Sequence, residues 1–193
     1  MTNYFPGRIG VSLPTVPVIE VPDLSGLARA SHLELMEGMR RWAAHVRHAE
    51  SVVAAFAGEI DRRSSRDAGY EGLAASTGAR GPEGLVSTLT GKSARDSRDL
   101  VTVGRLLDAP PVWLTDVAAG VTDGSVSVGA AAAIVTGLGE PTPSLGADDL
   151  LDAAQTLVAE TAGLPPEKGC QACPGNARRV GCRGHRRPRR SPP

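Results

Sequence analysis

Aromatic residues, long apolar runs and cysteines are all scarce in this chain of 193 residues. Aromatics account for 3% of the residues although 41% are hydrophobic, so a core must rest on Ala, Leu and Val, which favours closely packed helices. No run approaches the ~20 apolar residues that cross a membrane. The start, MTNYFPGRIGVSLPTVPVIEVPDLSG, lacks the basic and apolar regions of a signal peptide. We therefore expect a cytoplasmic protein that does not enter a membrane.

Charge and cysteine divide the chain into two parts. Residues 1–167 contain all 21 acidic residues and 13 of the 21 Lys and Arg, which gives a net charge of −8. Residues 168–193 contain the other eight basic residues without any acid, a net charge of +8. All three cysteines lie in this basic tail, so no disulfide can form within the acidic body. Such different compositions predict an acidic domain followed by a separate basic tail.

The acidic body is predicted to be all-α, an array of about six helices organised around one long helix at 31–66. Ser31 and Glu34 form a capping box at its start. Apolar residues then recur at steps of three and four over about nine turns and form one stripe. The stripe comprises Leu35, Met36, Met39, Trp42, Ala43, Val46, Ala49, Val53, Phe56 and Ile60. Shorter helices are predicted near 70–76, from Pro82 to Gly91, after Ser93, from Pro111 to Val121, after Ser127 and over 147–163.

Domain limits follow from these signals. The helical domain is predicted at 31–168, after an irregular, disordered lead at 1–30 that is rich in Pro and Gly. A disordered basic tail is predicted at 169–193. The segment LPPEK carries the start signals of one more helix, but Gly169, Pro174 and Gly175 would end that helix before its second turn.

The tail contains the sharpest pattern for a metal site. Cys170-x-x-Cys173 and Cys182-x-x-His185 are two ligand pairs at spacings that suit tetrahedral zinc. The arginines around them suit a phosphate backbone. One hypothesis is therefore a zinc-dependent nucleic-acid-binding protein.

We favour a different origin for the tail, in which GC-rich coding sequence is read out of frame. Such a reading produces Arg, Pro, Gly, Ala and Cys in abundance, as the tail has. When the chain is back-translated from Gly169 and read one base later, its degenerate codons permit ARRARATRDELDAEGIADRDEAR. That sequence has the charged, alanine-rich composition of a helix, and LPPEK carries the signals for a helix to start at this point. On this hypothesis the cysteines have no metal role, and no metal site is predicted.

A helix-turn-helix outline lies within PEGLVSTLTGKSARDSRDLVTVGRLL. A turn at 90–92 separates two predicted helices, and the second one would carry Arg95 and Arg98 into a DNA groove next to Lys92. Against this, Ser97 lies where the motif needs an apolar packing residue, and two aspartates interleave with the arginines. Ordinary packed helices with a charged outer face are the alternative. Lys92, Arg95 and Arg98 are therefore weak candidates for binding DNA.

Other residue patterns that could form a metal, cofactor or catalytic site are weak or absent from the sequence. His45 and His48 lie three residues apart on the long helix, but no third metal ligand is implied nearby, so we interpret them as surface residues. The chain contains no Gly-rich phosphate loop, nucleophile elbow or spaced acidic pair. We predict no catalytic residues, no cofactor and no small-molecule substrate.

Three long motifs follow one another between about Leu33 and Lys168. They are EIDRRSSRDAGYEGLAASTGARGPEGLVSTLTGKSARDSRDLVTVGRLL, PVWLTDVAAGVTDGSVSVGAAAAIVTGLGEPT and LLDAAQTLVAETAGLPPEK. In this order they closely resemble domain of unknown function 222, the helical domain found ahead of HNH endonuclease modules in actinobacterial repeat-family proteins. In that family the LPPE segment continues into a helix rich in Ala and Arg with an RDELD-like stretch.

The resemblance implies a limited function. The family's helical domain has no assigned catalytic residues, and nuclease activity belongs to the HNH module. This chain has no His-Asn-His set, since only His185 lies beyond residue 48. We therefore expect a truncated N-terminal domain that is not itself an enzyme and that docks to DNA or protein. Apolar surface exposed by the loss of later helices is expected to favour self-association.

Overall fold

The computed structural model describes residues 24–65 and 71–161. In these ranges the protein is all-α, as predicted, and contains no strand, although Thr142 and Leu145 form an isolated bridge. No helix in the described ranges is long and apolar enough to cross a membrane. The helices are α1 (His32–Arg63), α2 (Leu73–Ser76), α3 (Pro82–Thr90), α4 (Ala94–Asp108), α5 (Thr115–Thr122), α6 (Val128–Leu138) and α7 (Ala147–Thr161), with 3-10 helices at Leu24–Arg29 and Val112–Leu114.

The chain divides into two compact units, Met1–Gly38 and Met39–Pro193. In the described part of the first unit, the capping box at the start of α1 is confirmed. The backbone amide of Ser31 donates to Oε2 of Glu34 at 2.8 Å, and the amide of Glu34 donates to Oγ of Ser31 at 3.3 Å. The hydrogen bonds from Ser31 lower the pKa of Glu34. The predicted irregular lead at 1–30 overlaps the described residues from Leu24 onward, where the chain forms a 3-10 helix.

In the larger unit, short polar signals start and end the helices where the sequence predicts. Oγ of Ser93 accepts from the amide of Asp96 at 3.2 Å and caps α4. Oγ of Ser127 accepts from the amide of Ala130 at 3.3 Å and caps α6. Gly91 ends α3 in the left-handed conformation, with φ of 69°, which a residue with a Cβ adopts at a cost. These local hydrogen bonds determine where the helices begin and end.

The core of the larger unit consists of Ala, Val and Leu with one Ile, as the scarcity of aromatics predicts. Helix α4 lies at its centre and packs against α3 and α6. The four large apolar residues that α4 buries are Leu100, Val101, Val103 and Leu106. Helices α1 and α4 meet at two glycines, because a Cβ built on Gly58 would lie 2.6 Å from the carbonyl carbon of Gly104. This backbone contact lets two helices approach more closely than larger residues would allow.

One predicted helix begins differently in the structure, and the predicted apolar stripe faces mostly outward. The helix predicted from Pro111 to Val121 begins, after an extended Pro111, as the 3-10 helix and becomes α-helical at Thr115. The apolar stripe predicted on the long helix is mostly not its packed face. The residues that α1 buries are small ones, Ser51, Ala54, Ala57 and Gly58. From the stripe beyond Gly38, Val53 and Ile60 pack against the core and are partly buried.

Candidate docking surfaces

The predicted DNA-binding cluster lies at the turn between α3 and α4. Helix α4 follows α3 after three residues, as a helix-turn-helix requires, and Arg95 and Arg98 are exposed in its first two turns. In contrast, Nζ of Lys92 donates to Oε1 of Glu50 on α1 at 2.7 Å. Lys92 therefore stabilises the contact between this turn and α1. The two arginines are the exposed members of the cluster.

Much of the surface of helix α4 is buried in the core. A recognition helix needs one long face that can enter a DNA groove, whereas α4 buries residues along its length from Ser97 to Leu106. Ser97 is 0% exposed, and its Oγ donates to the carbonyl oxygen of Ser93 at 2.9 Å. A hydroxyl that is satisfied within its own helix thus fills the position where the motif needs an apolar residue. The charged part of α4 that faces solvent is mainly its N-terminal end.

Acidic groups accompany the arginines at this end of α4. Oγ of Ser93 donates to Oδ2 of Asp96 at 2.7 Å, so Asp96 belongs to the helix cap. Partial burial raises the pKa of Asp99, which the nearby Arg95 partly opposes. Two arginines and two aspartates formally cancel, which weakens attraction for a phosphate backbone. The local charge pattern therefore offers little electrostatic support for DNA binding.

The paired histidines of α1 have ordinary structural surroundings. The ring of His45 contacts Trp42 edge-on, with ring centroids 5.9 Å apart. The carbonyl oxygen of His48 accepts a hydrogen bond from Oγ of Ser51 at 2.8 Å. Within the part of the chain that the structure describes, no three or more His, Cys, Asp or Glu side chains are grouped to hold a metal ion.

The predicted zinc ligands, Cys170, Cys173, Cys182 and His185, lie outside the described residues. The same holds for the segment at 169–193 to which the out-of-frame hypothesis applies. Both hypotheses for the tail stay predictions.

The most distinctive surface of the larger unit lies on α1. We call it the outer face and define it as Met39, Trp42, Val46, Ala49, Val53 and Phe56. Met39 is 72% exposed and Trp42 is 40% exposed, and Val46 and Phe56 lie between these values. Val53 is partly buried. These residues form the central part of the predicted stripe, so the stripe exists but faces solvent over most of its length. Small residues are buried on a neighbouring side of α1, and most of the larger apolar side chains stay outside.

An apolar groove adjoins the C-terminal end of the outer face. It lies between α1 and α3 and encloses about 210 Å³. Its apolar lining is Val53, Phe56, Ala57, Ile60, Val86 and Leu89, and we call it the α1–α3 groove. Leu89, on the α3 side, is 66% exposed. The outer face and the groove share Val53 and Phe56 and are therefore one continuous apolar surface.

Comparison of the chain with family models, with curated proteins and with solved structures found no match in any of the three.

Sequence reasoning did not identify the outer face or the groove as candidate sites. The spacing of apolar residues from Met39 to Ile60 was a usable signal, because it alternates steps of three and four without interruption, the pattern of a helix that pairs with another helix. The groove had no such signal. It arises because Leu89 on α3 lies beside Phe56 on α1, although 33 positions of sequence separate them.

Proposed function

We propose that this chain is a non-enzymatic helical docking domain that acts through the outer face of α1. The observation that carries the proposal is that this helix buries small residues and exposes large apolar ones. Its buried residues are Ser51, Ala54, Ala57 and Gly58, while Met39, Trp42, Val46 and Phe56 are exposed. Large contiguous apolar surfaces cost free energy in water, and in soluble proteins they mark interaction sites.

The resemblance to domain of unknown function 222 supports a docking role without chemistry. In that family the helical domain precedes an HNH endonuclease module and has no assigned catalytic residues. We propose that residues 31–168 correspond to such a domain. The nucleotide sequence of the gene tests this: read one base later from codon 169, it should stay open and encode paired His and Asn residues with a Cys-x-x-Cys. A frame that closes at once would remove this support.

Docking to DNA is a second candidate, and the exposure of Arg95 and Arg98 at the turn favours it. The paired charge of Lys92 and the two neighbouring aspartates count against it. Fluorescence anisotropy with a labelled duplex distinguishes the two candidates. If DNA is the partner, the double change Arg95→Ala and Arg98→Ala should weaken binding at least about tenfold and reduce its salt dependence. Equal binding by both proteins would exclude these arginines as DNA contacts.

Quenching of Trp42 fluorescence by acrylamide tests docking through α1. The difference between the wild-type chain and the Trp42→Phe variant isolates its signal from that of Trp113, the chain's other tryptophan. In dilute solution, where the chain is monomeric, Trp42 should be readily quenched because its side chain faces solvent. A shielded Trp42 in the monomer would mean that the chain itself covers the outer face, and the proposed function would then be wrong.

A further inference from the structure

Two complementary features lie at opposite ends of the same apolar surface. At the N-terminal end, Met39 and Trp42 project from α1 and are 72% and 40% exposed. At the C-terminal end, the α1–α3 groove is open and its lining is apolar apart from Thr90. One end therefore supplies large side chains, and the other end supplies a cavity that can accept apolar groups. A surface that contains both a projection and its receptor can bind a copy of itself around a two-fold axis.

The spacing of the outer face matches that of a helix-pairing seam. From Met39 to Ile60 the apolar positions follow steps of 3, 4, 3, 4, 3 and 4 residues, which is the heptad pattern of coiled coils. An antiparallel copy whose midpoint lies between Arg47 and His48 brings the six positions from Met39 to Phe56 into three kinds of layer, each present twice. Those layers pair Met39 with Phe56, Trp42 with Val53 and Val46 with Ala49 of the other copy. The first two layers place the projecting side chains at the groove.

The distribution of charge along α1 favours the antiparallel direction. Residues 39–48 contain three arginines and no acid, whereas residues 49–61 contain Glu50, Glu59 and Asp61 and no base. A parallel pair would bring the two arginine-rich segments together, and like charges at close range repel. An antiparallel pair separates them and places each beside the acidic segment of the other copy. The acids and the arginines all have interactions within their own chain, so the electrostatic gain of the antiparallel direction is modest and comes from the avoided repulsion.

We propose that a second copy of this chain covers the outer face in an antiparallel, two-fold symmetric dimer, in which Met39 and Trp42 of each copy enter the α1–α3 groove of the other. This inference rests on the proposed docking function and names its partner. Each groove is filled once and each projection is covered once, so the arrangement closes at two copies.

Sedimentation velocity of the full chain, over an about 100-fold range of concentration, measures the dimer directly. Trp42→Glu should raise the dissociation constant more than about 100-fold, because a symmetric dimer loses two buried tryptophans and gains two buried charges. Leu89→Glu should have a similar effect, since it alters the groove and not the projection. Circular dichroism melts show whether the variants fold, which is expected because both side chains are exposed.

Val112→Glu is the matched control. Val112 is 74% exposed on the 3-10 helix before α5 and lies outside the outer face and the groove. The same apolar-to-acid change should leave the dissociation constant unchanged there. Equal weakening by all three variants would indicate nonspecific association and overturn the inference, as would a dimer that survives both Trp42→Glu and Leu89→Glu.

Spin labels at Arg62→Cys, in a chain whose three cysteines are replaced by serine, determine the direction. Two antiparallel labels would lie roughly 40 Å apart, because each residue adds ~1.5 Å of helix and the midpoint lies between Arg47 and His48. Parallel labels would lie within about 20 Å, since the axes of packed helices are 8–10 Å apart. A short distance in an intact dimer would overturn the antiparallel arrangement.

The results also separate this inference from the proposed docking function. A chain that stays monomeric while Trp42 remains open to acrylamide overturns the dimer and leaves docking to a different partner intact. A monomer with shielded Trp42 overturns both, because the outer face would be covered within one chain.

Discussion

Helices α1 and α4 are both amphipathic, yet they bury opposite kinds of residue. Helix α4 packs its large apolar side chains inside, and Leu100, Val101 and Val103 are 2% exposed or less. Helix α1 packs small residues inside and leaves Met39 and Trp42 in solvent. Periodicity therefore identifies an apolar face but not the direction in which that face points. The buried side of α1 is the one that carries Gly58, whose backbone lies too close to Gly104 of α4 for a Cβ to fit between them.

The largest expected effect tests this contrast directly. Leu100→Ala should lower the free energy of unfolding by about 3–4 kcal/mol, because it removes a buried side chain and leaves a cavity in the core. Met39→Ala on the outer face should change it by less than about 0.5 kcal/mol under monomeric conditions. Urea denaturation of both variants measures the difference. Similar losses would mean that α1 buries its outer face as α4 buries its inner one.

The glycine contact should give the next largest effect. Gly104→Ala should destabilise the protein by about 2 kcal/mol, because the new Cβ would collide with the backbone of Ala54 and Gly58. Gly84→Ala on α3 is the matched control, since a Cβ there meets nothing within 4 Å. That change should instead stabilise by about 0.5–1 kcal/mol through helix propensity. Thermal melts of the two variants should therefore shift in opposite directions.

Removal of a helix cap should lower the stability by a smaller amount, and by different amounts for α4 and α1. Ser93→Ala should lower the free energy of unfolding by about 1 kcal/mol, because it removes the cap of a helix that packs in the core. Ser31→Ala removes an equivalent hydrogen bond but should lower the free energy of unfolding by less. The reason is that the first turns of α1 bury no residue and can open locally. Urea denaturation gives the global values, and hydrogen exchange reports the opening. Equal global losses would contradict the expectation that these turns of α1 open locally.

The smallest effect concerns pH. Burial raises the pKa of Asp99 above its unfolded value, so ionisation of this carboxyl opposes folding once the pH exceeds the unfolded pKa. Asp99→Asn should therefore raise the melting temperature slightly at pH 7. Near pH 3 the wild-type carboxyl is largely protonated in both states, and the gain should disappear. A gain that persists at pH 3 would have to come from something other than this charge.

Local features of the fold were predictable because their causes lie within a few residues. The caps at Ser31, Ser93 and Ser127 each depend on a hydrogen bond to a group three positions later. The end of α3 at Gly91 depends on the conformational freedom of a single residue. The start of α5 was predicted less well, because an extended proline allows either a 3-10 or an α-helical turn after it.

The candidate surfaces were predictable only in part. The apolar positions of the outer face were identified from their spacing, but their exposure was not, because it depends on what covers α1. The ion pair between Lys92 and Glu50 joins residues 42 positions apart, so the sequence offered Lys92 as a free cation for DNA. The α1–α3 groove likewise needs Leu89 and Phe56 to lie side by side.

The helical fold, the limits of most helices and the aliphatic core were all predictable from the amino-acid sequence. Those properties follow from hydrogen bonds and propensities that act within about one helical turn. Which side of each helix is buried depends instead on tertiary packing. That choice depends on surfaces contributed by distant segments, and on α1 the buried side is the one where Gly58 contacts Gly104. The apolar surface proposed for docking is a consequence of that choice.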